Sequence, residues 1–208
     1  MNRRKFISTV AGGTAAVSLA GCTEQRDLSE VEMPENYEPV VVGDEDAPVS
    51  VYEFFDLGCP ACQQFHEQVT PFLETDYIST GDVKLIKYDT PFGAGSSTFP
   101  AAHASREMHH NGGVEEYQEF VDLVYQNQNN IDTDMYVSWA EDISGLGEEV
   151  RDAIETEKYQ DELDESVNYA NDLGVDGIPT IMVGWELYEF PSFDQLSSII
   201  EEELQSQE

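Results

Sequence analysis

The sequence predicts an α/β chain with a central mixed β-sheet, flanking helices and an inserted all-helical subdomain. Three observations carry this prediction. Strand-like runs lie at 49–55, 83–88 and 180–183, and a single helical pattern joins the first two. Between the second and third, residues 99–173 show helical periodicity without a clear strand.

Val40-Val41-Val42 reads as a short partner for the run Val49-Ser50-Val51-Tyr52-Glu53-Phe54-Phe55 that follows, whose β-branched and aromatic residues suit a buried strand. A helix is expected after Gly58-Cys59-Pro60-Ala61-Cys62, with Phe65, Val69, Phe72 and Leu73 at three- and four-residue spacing. Pro60 fits its first turn, where a missing N–H leaves nothing unsatisfied, and Pro71 should kink or restart it. Gly81-Asp82 then turns the chain into Val83–Tyr88, and the crossover makes these two strands parallel. Helices are expected over 100–110, 114–125, 133–143, 148–154 and 157–173, broken at Gly112-Gly113 and Gly145-Leu146-Gly147. Thr180–Val183 is a strand, Gly184 turns, and Glu186–Phe190 reads as its short partner. Ser192 should cap a last helix from Phe193 to Leu204, with Phe193, Leu196, Ile199 and Ile200 on its apolar face.

The charge is extreme: 43 acidic residues against nine basic ones, net −34. Three of the basic residues are Arg3, Arg4 and Lys5, so the chain beyond Cys22 carries all 43 acids and six bases, net −37. With 40% hydrophobic residues, including 10 Phe and 10 Tyr, a core can still be buried. Self-repulsion of this size disfavours a compact chain in dilute buffer, and at about 1 M salt a Debye length near 3 Å screens most of it. Acidity spread over the whole body therefore points to life in strong brine. It also argues against nucleic acid as a partner, because no basic patch exists to meet phosphates.

Asn2-Arg3-Arg4-Lys5-Phe6-Ile7 and the mild apolar run that follows resemble a twin-arginine export signal. The run is too short for a membrane span. Leu19-Ala20-Gly21-Cys22 resembles a lipobox, making Cys22 the expected lipid anchor on the outer face of the cell membrane. The expected organisation is a signal over 1–21, an acidic tether over 22–39, a first fold segment over 40–92, the helical insertion over 93–173 and a second fold segment over 174–208.

With Cys22 set aside, only Cys59 and Cys62 remain of three cysteines. A cysteine between a strand end and a helix start faces unsatisfied N–H groups and the positive end of the helix dipole. Both favour the thiolate, which makes Cys59 the attacking sulfur, and Cys62, one turn on, can resolve a mixed disulfide. A structural disulfide would close too small a loop to stabilise much. Half a zinc site is the other alternative, with Cys59, Cys62 and His66 spaced C-x2-C-x3-H and one of His103, His109 or His110 as a fourth ligand, but a second clear ligand pair is missing. No metal or other cofactor is called for.

Far along the chain, Gly177-Ile178-Pro179-Thr180 precedes a strand, a place where proline often has a cis bond. Strand, C-P-x-C, helix, helical insertion and then G-I-P-T together resemble the thioredoxin superfamily, and most closely its DsbA-like branch, from about Val40 to Leu204. The resemblance implies a thioredoxin-like fold and protein thiol–disulfide oxidoreductase activity. It makes Cys59 the nucleophile, Cys62 the buried resolving thiol and Pro179 a cis-proline facing them. Ile178 would pair its backbone with an extended substrate, beside Pro60 and Ala61. Glu53 matches a buried acid that assists proton transfer beneath the pair, and its apolar neighbours favour burial. Asp56, closer in sequence, reads as a loop residue.

The implied partners are exported protein thiols or disulfides and a membrane redox partner, either a quinone-linked oxidase or a reductant relay. A monomer is expected. Strong oxidants of the branch carry a His between the cysteines, whereas Pro60-Ala61 stands here. The expected potential is therefore intermediate within roughly −270 to −120 mV, and a reductase or isomerase is the alternative. A non-catalytic peptide or metal binder is the alternative of another class. Trp139, Trp185, Tyr188 and Phe190 are expected to pack the core, with a place lining a peptide groove as the alternative. Met108 and Met135 are expected in the core, and His109-His110 at an exposed helix end.

Overall fold

The computed structural model describes residues 27–93 and 97–207, and its five strands form one mixed sheet. They are β1 (Val40–Val42), β2 (Val49–Phe55), β3 (Val83–Asp89), β4 (Thr180–Val183) and β5 (Glu186–Glu189), in the order β1-β3-β2-β4-β5. β2 and β3 are parallel, and the other pairings are antiparallel. β1 is thus a strand as expected, but it pairs with β3 and not with β2. The crossover from β2 to β3 brings β3 to the side of β2 that β1 would otherwise occupy.

That crossover begins as helix α1 (Pro60–Gln68), breaks at Val69, restarts as α2 (Thr70–Leu73) with Pro71 in its first turn, and ends in a wide turn over Glu74–Ile78. The insertion follows β3: α3 (Thr98–Glu107), α4 (Val114–Asn127), α5 (Thr133–Ser144), α6 (Gly147–Glu155) and α7 (Gln160–Leu173). Gly113 and Gly145 take positive φ between helices, and Gly174 takes it where α7 ends, which glycine does without steric cost. The last helix, α8 (Phe193–Ser206), starts at Ser192 in a reciprocal cap: Gln195 N–H donates to the Ser192 hydroxyl, and Ser192 N–H donates to the Gln195 side chain.

Two cores form on the two sheet faces because β2 buries both. Val51 and Phe55 join Phe65, Leu85, Phe120 and Val124 under the helices. Phe54 packs on the other face with Tyr37, Tyr88, Tyr169 and Met182. Tyr37 and Asn36 lie in the segment read as a tether, yet Tyr37 is docked into this second core and the exposed Asn36 is tied to α7. The Tyr37 hydroxyl accepts from Asp89 N–H at 2.7 Å, and Asn36 donates twice to Glu165. Among the described residues, no helix is long and apolar enough to cross a membrane. The export signal, the lipobox and Cys22 lie outside the described residues.

Several side-chain expectations need correction. Trp185 and Phe190 are 40% and 43% exposed, because they sit at the tip and the end of the β4–β5 hairpin. Trp139 and Tyr188 do pack against the main core, half-buried, and Met108 is fully buried within it, whereas Met135 is only half-buried. His110 is exposed, but His109 is half-buried, and burial drives its pKa down to about 4.

Candidate active site

β2 ends at Phe55 and α1 begins at Pro60, so residues 56–59 form the turn that presents the cysteines. The turn closes on itself: Cys59 N–H donates to the Asp56 carbonyl at 3.0 Å, and Gly58 N–H donates to the Asp56 carboxylate at 2.7 Å. Gly58 packs so tightly against Thr98, the first residue of α3, that a Cβ there would run into it. The Thr98 hydroxyl donates to Asp56 at 3.1 Å, which joins the turn to the helical insertion. Asp56 is a loop residue as expected, but a wholly buried one.

Cys59 is the N-cap of α1, and Cys62 lies one turn in, with no exposed surface. Both thiols are free. The Cys62 side chain donates to Cys59, the Cys62 and Ala61 N–H groups add to this, and together they bring the Cys59 pKa down to about 6 against the opposing effect of burial. Cys62 moves the opposite way: burial, then the Cys59 sulfur beside it, push its thiol far above the ordinary range. One sulfur is thus a thiolate near neutral pH while its neighbour keeps its proton.

The Ile178–Pro179 peptide is cis and brings this distant loop against the pair. The Cys59 sulfur lies 3.8 Å from the Ile178 carbonyl oxygen. Pro179 is buried, Ile178 and Ala61 are half-buried, and Pro60 is exposed. Phe190 N–H donates to the Pro179 carbonyl at 3.0 Å, and the exposed Phe190 ring lies 6.3 Å from that of Phe65 on α1.

Glu53 is 1% exposed and faces the core on the same side of β2 as Val51 and Phe55. Its partner is Lys87, the residue beside it in the parallel register, at 3.1 Å. Sequence reasoning missed Lys87, although the signal was present: one acid and one base, each inside a buried strand run. It also missed Gln128, which donates from the insertion to the carbonyls of Leu57 and Cys59. No local pattern marks that residue. His66 pairs with Asp122 at 2.7 Å, while His103 accepts from Tyr159 N–H. Among the described residues, no group of three or more His, Cys, Asp or Glu is placed to hold a metal ion.

Residues 35–202 match the family described as Thioredoxin. A probable disulfide bond formation protein D of Bacillus cereus is 32% identical over 173 residues, covering 78% of this chain and 77% of its own. The disulfide bond formation protein D of Bacillus subtilis is 26% identical over 172 residues, covering 79% and 76%. Among solved structures, oxidised BdbD of Bacillus subtilis superposes with a TM-score of 0.75 at 24% identity, over 80% of this chain and 93% of that one. DsbA of Chlamydia trachomatis gives 0.71 at 24% identity, over 80% and 90%. The chain belongs to the thioredoxin family and is a thiol–disulfide oxidoreductase of the DsbA-like kind.

Proposed function

We propose that, within this family, the chain exchanges disulfides with exported proteins through Cys59 and Cys62. The observation that carries the reading is the asymmetry of the two sulfurs, one a thiolate near neutral pH and the other buried and protonated. In the oxidising direction, a substrate thiolate attacks Cys59 in the Cys59–Cys62 disulfide, and Cys62 leaves and takes up a proton. A second substrate thiolate then attacks the substrate sulfur of the mixed disulfide and expels the Cys59 thiolate. The substrate loses two electrons and two thiol protons, and the pair gains both electrons. A low-pKa Cys59 is a good leaving group in that last step.

Two further roles are supported by where the residues lie, and a location by the N-terminal sequence. The Ile178 backbone beside the Cys59 sulfur can pair with an extended substrate, with Pro179, Pro60 and Ala61 around it and Phe190 offering apolar contact. Glu53, on the core face beneath the helix that carries Cys62, can supply and receive the Cys62 proton. The N-terminal motifs favour twin-arginine export and a lipid anchor at Cys22, which would hold the domain outside the cell membrane near a membrane redox partner. The acidity favours a brine habitat.

The absence of an imidazole between the cysteines favours a second reading, that of a reductase or isomerase. Two measurements in multimolar KCl decide. Cys62→Ser should accumulate mixed disulfides with exported proteins through Cys59, and a variant that traps none counts against exchange. A glutathione equilibrium potential well above about −200 mV supports the oxidising direction, and one near −270 mV the reducing direction.

A further inference from the structure

The helical insertion reaches the reactive turn through a side chain that the exchange chemistry does not itself use. Gln128 closes α4, with its backbone N–H on the Tyr125 carbonyl. The same carbonyl accepts from Gln63 of α1 at 2.7 Å, which pins this end of α4 to the helix that carries Cys62. From there the Gln128 carboxamide nitrogen donates to the Leu57 carbonyl at 2.8 Å and to the Cys59 carbonyl at 3.0 Å. Both amide hydrogens are therefore spent on the turn. The amide oxygen is buried without a hydrogen-bond partner among the described residues. Turning the amide over would set that oxygen against two carbonyl oxygens, so the donors fix its orientation.

We infer that Gln128 is a positioning residue for the exchange reaction: by holding the Leu57 and Cys59 carbonyls from the insertion, it fixes the Cys59 sulfur over the N–H groups that open α1. This rests on the proposed role of Cys59 as the reacting sulfur. Two effects act together. The Cys59 carbonyl also accepts from Gln63 N–H at 3.1 Å, and the second donor holds the peptide plane that sets where the side chain points. The positive end of the amide dipole also lies beside a residue that must carry negative charge. Loss of both donors lets the turn relax and withdraws that dipole, so the thiolate is less stabilised and the disulfide less readily reduced.

The test is a thiolate titration of fully reduced protein in multimolar KCl, followed by ultraviolet absorbance, together with its glutathione equilibrium. Gln128→Leu keeps the bulk and removes the donors. Its Cys59 midpoint should rise by about half a unit or more, roughly a threefold loss of thiolate on the acid side of the transition. The glutathione equilibrium should move several-fold toward the disulfide. Gln63→Leu serves as the control: it loosens the same interface without touching the two carbonyls, so it should lower thermal stability and leave the Cys59 midpoint in place. An unmoved midpoint in Gln128→Leu, alongside lower thermal stability, would overturn the inference and leave Gln128 a packing residue. Should the leucine variant not fold, Gln128→Asn, one methylene too short to reach both carbonyls, carries the same reading. Failure of the exchange reading looks different: the unsubstituted protein would then show no reversible glutathione equilibrium.

Discussion

Glu53 and Lys87 face each other across the parallel β2–β3 pair, 3.1 Å apart, with 1% and 5% of their side chains exposed. Lys87 also lies over the Phe55 ring at 4.9 Å. A pair this deep has surrendered its hydration, so removing one member costs more than the pair contributes. Lys87→Met should destabilise the fold by about 3–5 kcal/mol in denaturant titrations, and Glu53→Leu added to it should recover most of that loss. If Glu53 also handles the Cys62 proton, Glu53→Gln slows mixed-disulfide resolution by roughly 10²-fold or more while leaving the Cys59 titration near its original midpoint. A full rate in that variant would confine Glu53 to structure.

The Cys59 pKa makes the reduced protein sensitive to pH in a defined window. Folded Cys59 titrates at about 6, and the unfolded thiol near 9. Between those values the folded chain has released a proton that the unfolded chain still holds. The stability of the reduced form therefore rises with pH from about 6 to 9, and the contribution is lost as pH falls through 6. Cys62 does not cancel it in this window, since its pKa lies above the range. Unfolding midpoints of the reduced protein should rise from about pH 7 to 9, above the range in which Asp89 acts in the opposite direction. Cys59→Ser, which has no thiolate to form, should remove the rise, and an unchanged slope in that variant would assign it to other groups.

Asp89 has the opposite sign. Burial raises its carboxyl to about 7, against the Ser105 hydroxyl that donates to it at 2.8 Å. The unfolded group titrates near 3.8. From about pH 4 to 7 the native state thus holds a proton the unfolded chain has lost, and stability falls as pH rises. Asp89→Asn keeps an acceptor for Ser105 and has no charge to bury. It should be more stable than the parent at pH 8, by at most about 4 kcal/mol, and little different at pH 4. Equal midpoints at both pH values would mean that nearby Arg106 and Lys87 already compensate the carboxylate.

Most of the fold was legible because period and punctuation agree in this chain. Val49–Phe55 and Val83–Tyr88 are apolar enough to be recognised without a partner, and the glycines at 112–113 and 145–147 fall where helices end. The placement of the two cysteines at the start of α1 and the cis bond before Pro179 were legible for a different reason: local spacing marks each of them. Lys87, Asp56 and Gln128 were not legible, since each acts through a residue distant in sequence or through a carbonyl that any residue possesses. Trp185 and Phe190 misled because hydrophobic size says nothing about position in a hairpin. Tyr37 misled because acidic neighbours hid an aromatic that stacks on Tyr88 at 5.1 Å.

Salt offers the broadest test of how this fold is held together. The described basic side chains are already committed: Lys87 to Glu53, Arg106 to Glu162, Arg151 to Asp134, Lys158 to Glu107, and Lys84 to the Glu45 carbonyl. With 43 acids in the chain, most carboxylates have no cation of the protein's own to pair with. Their mutual repulsion acts over about 10 Å at 0.1 M salt and about 3 Å at 1 M. The thermal midpoint should therefore climb steeply over that range and flatten above it. Sorbitol at matching osmolality controls for solvent exclusion, since it strengthens burial without screening charge. A rise in KCl that sorbitol does not reproduce assigns the effect to screening. Equal rises would mean that the acidic surface is tolerated at low salt, and the brine reading would lose its physical basis.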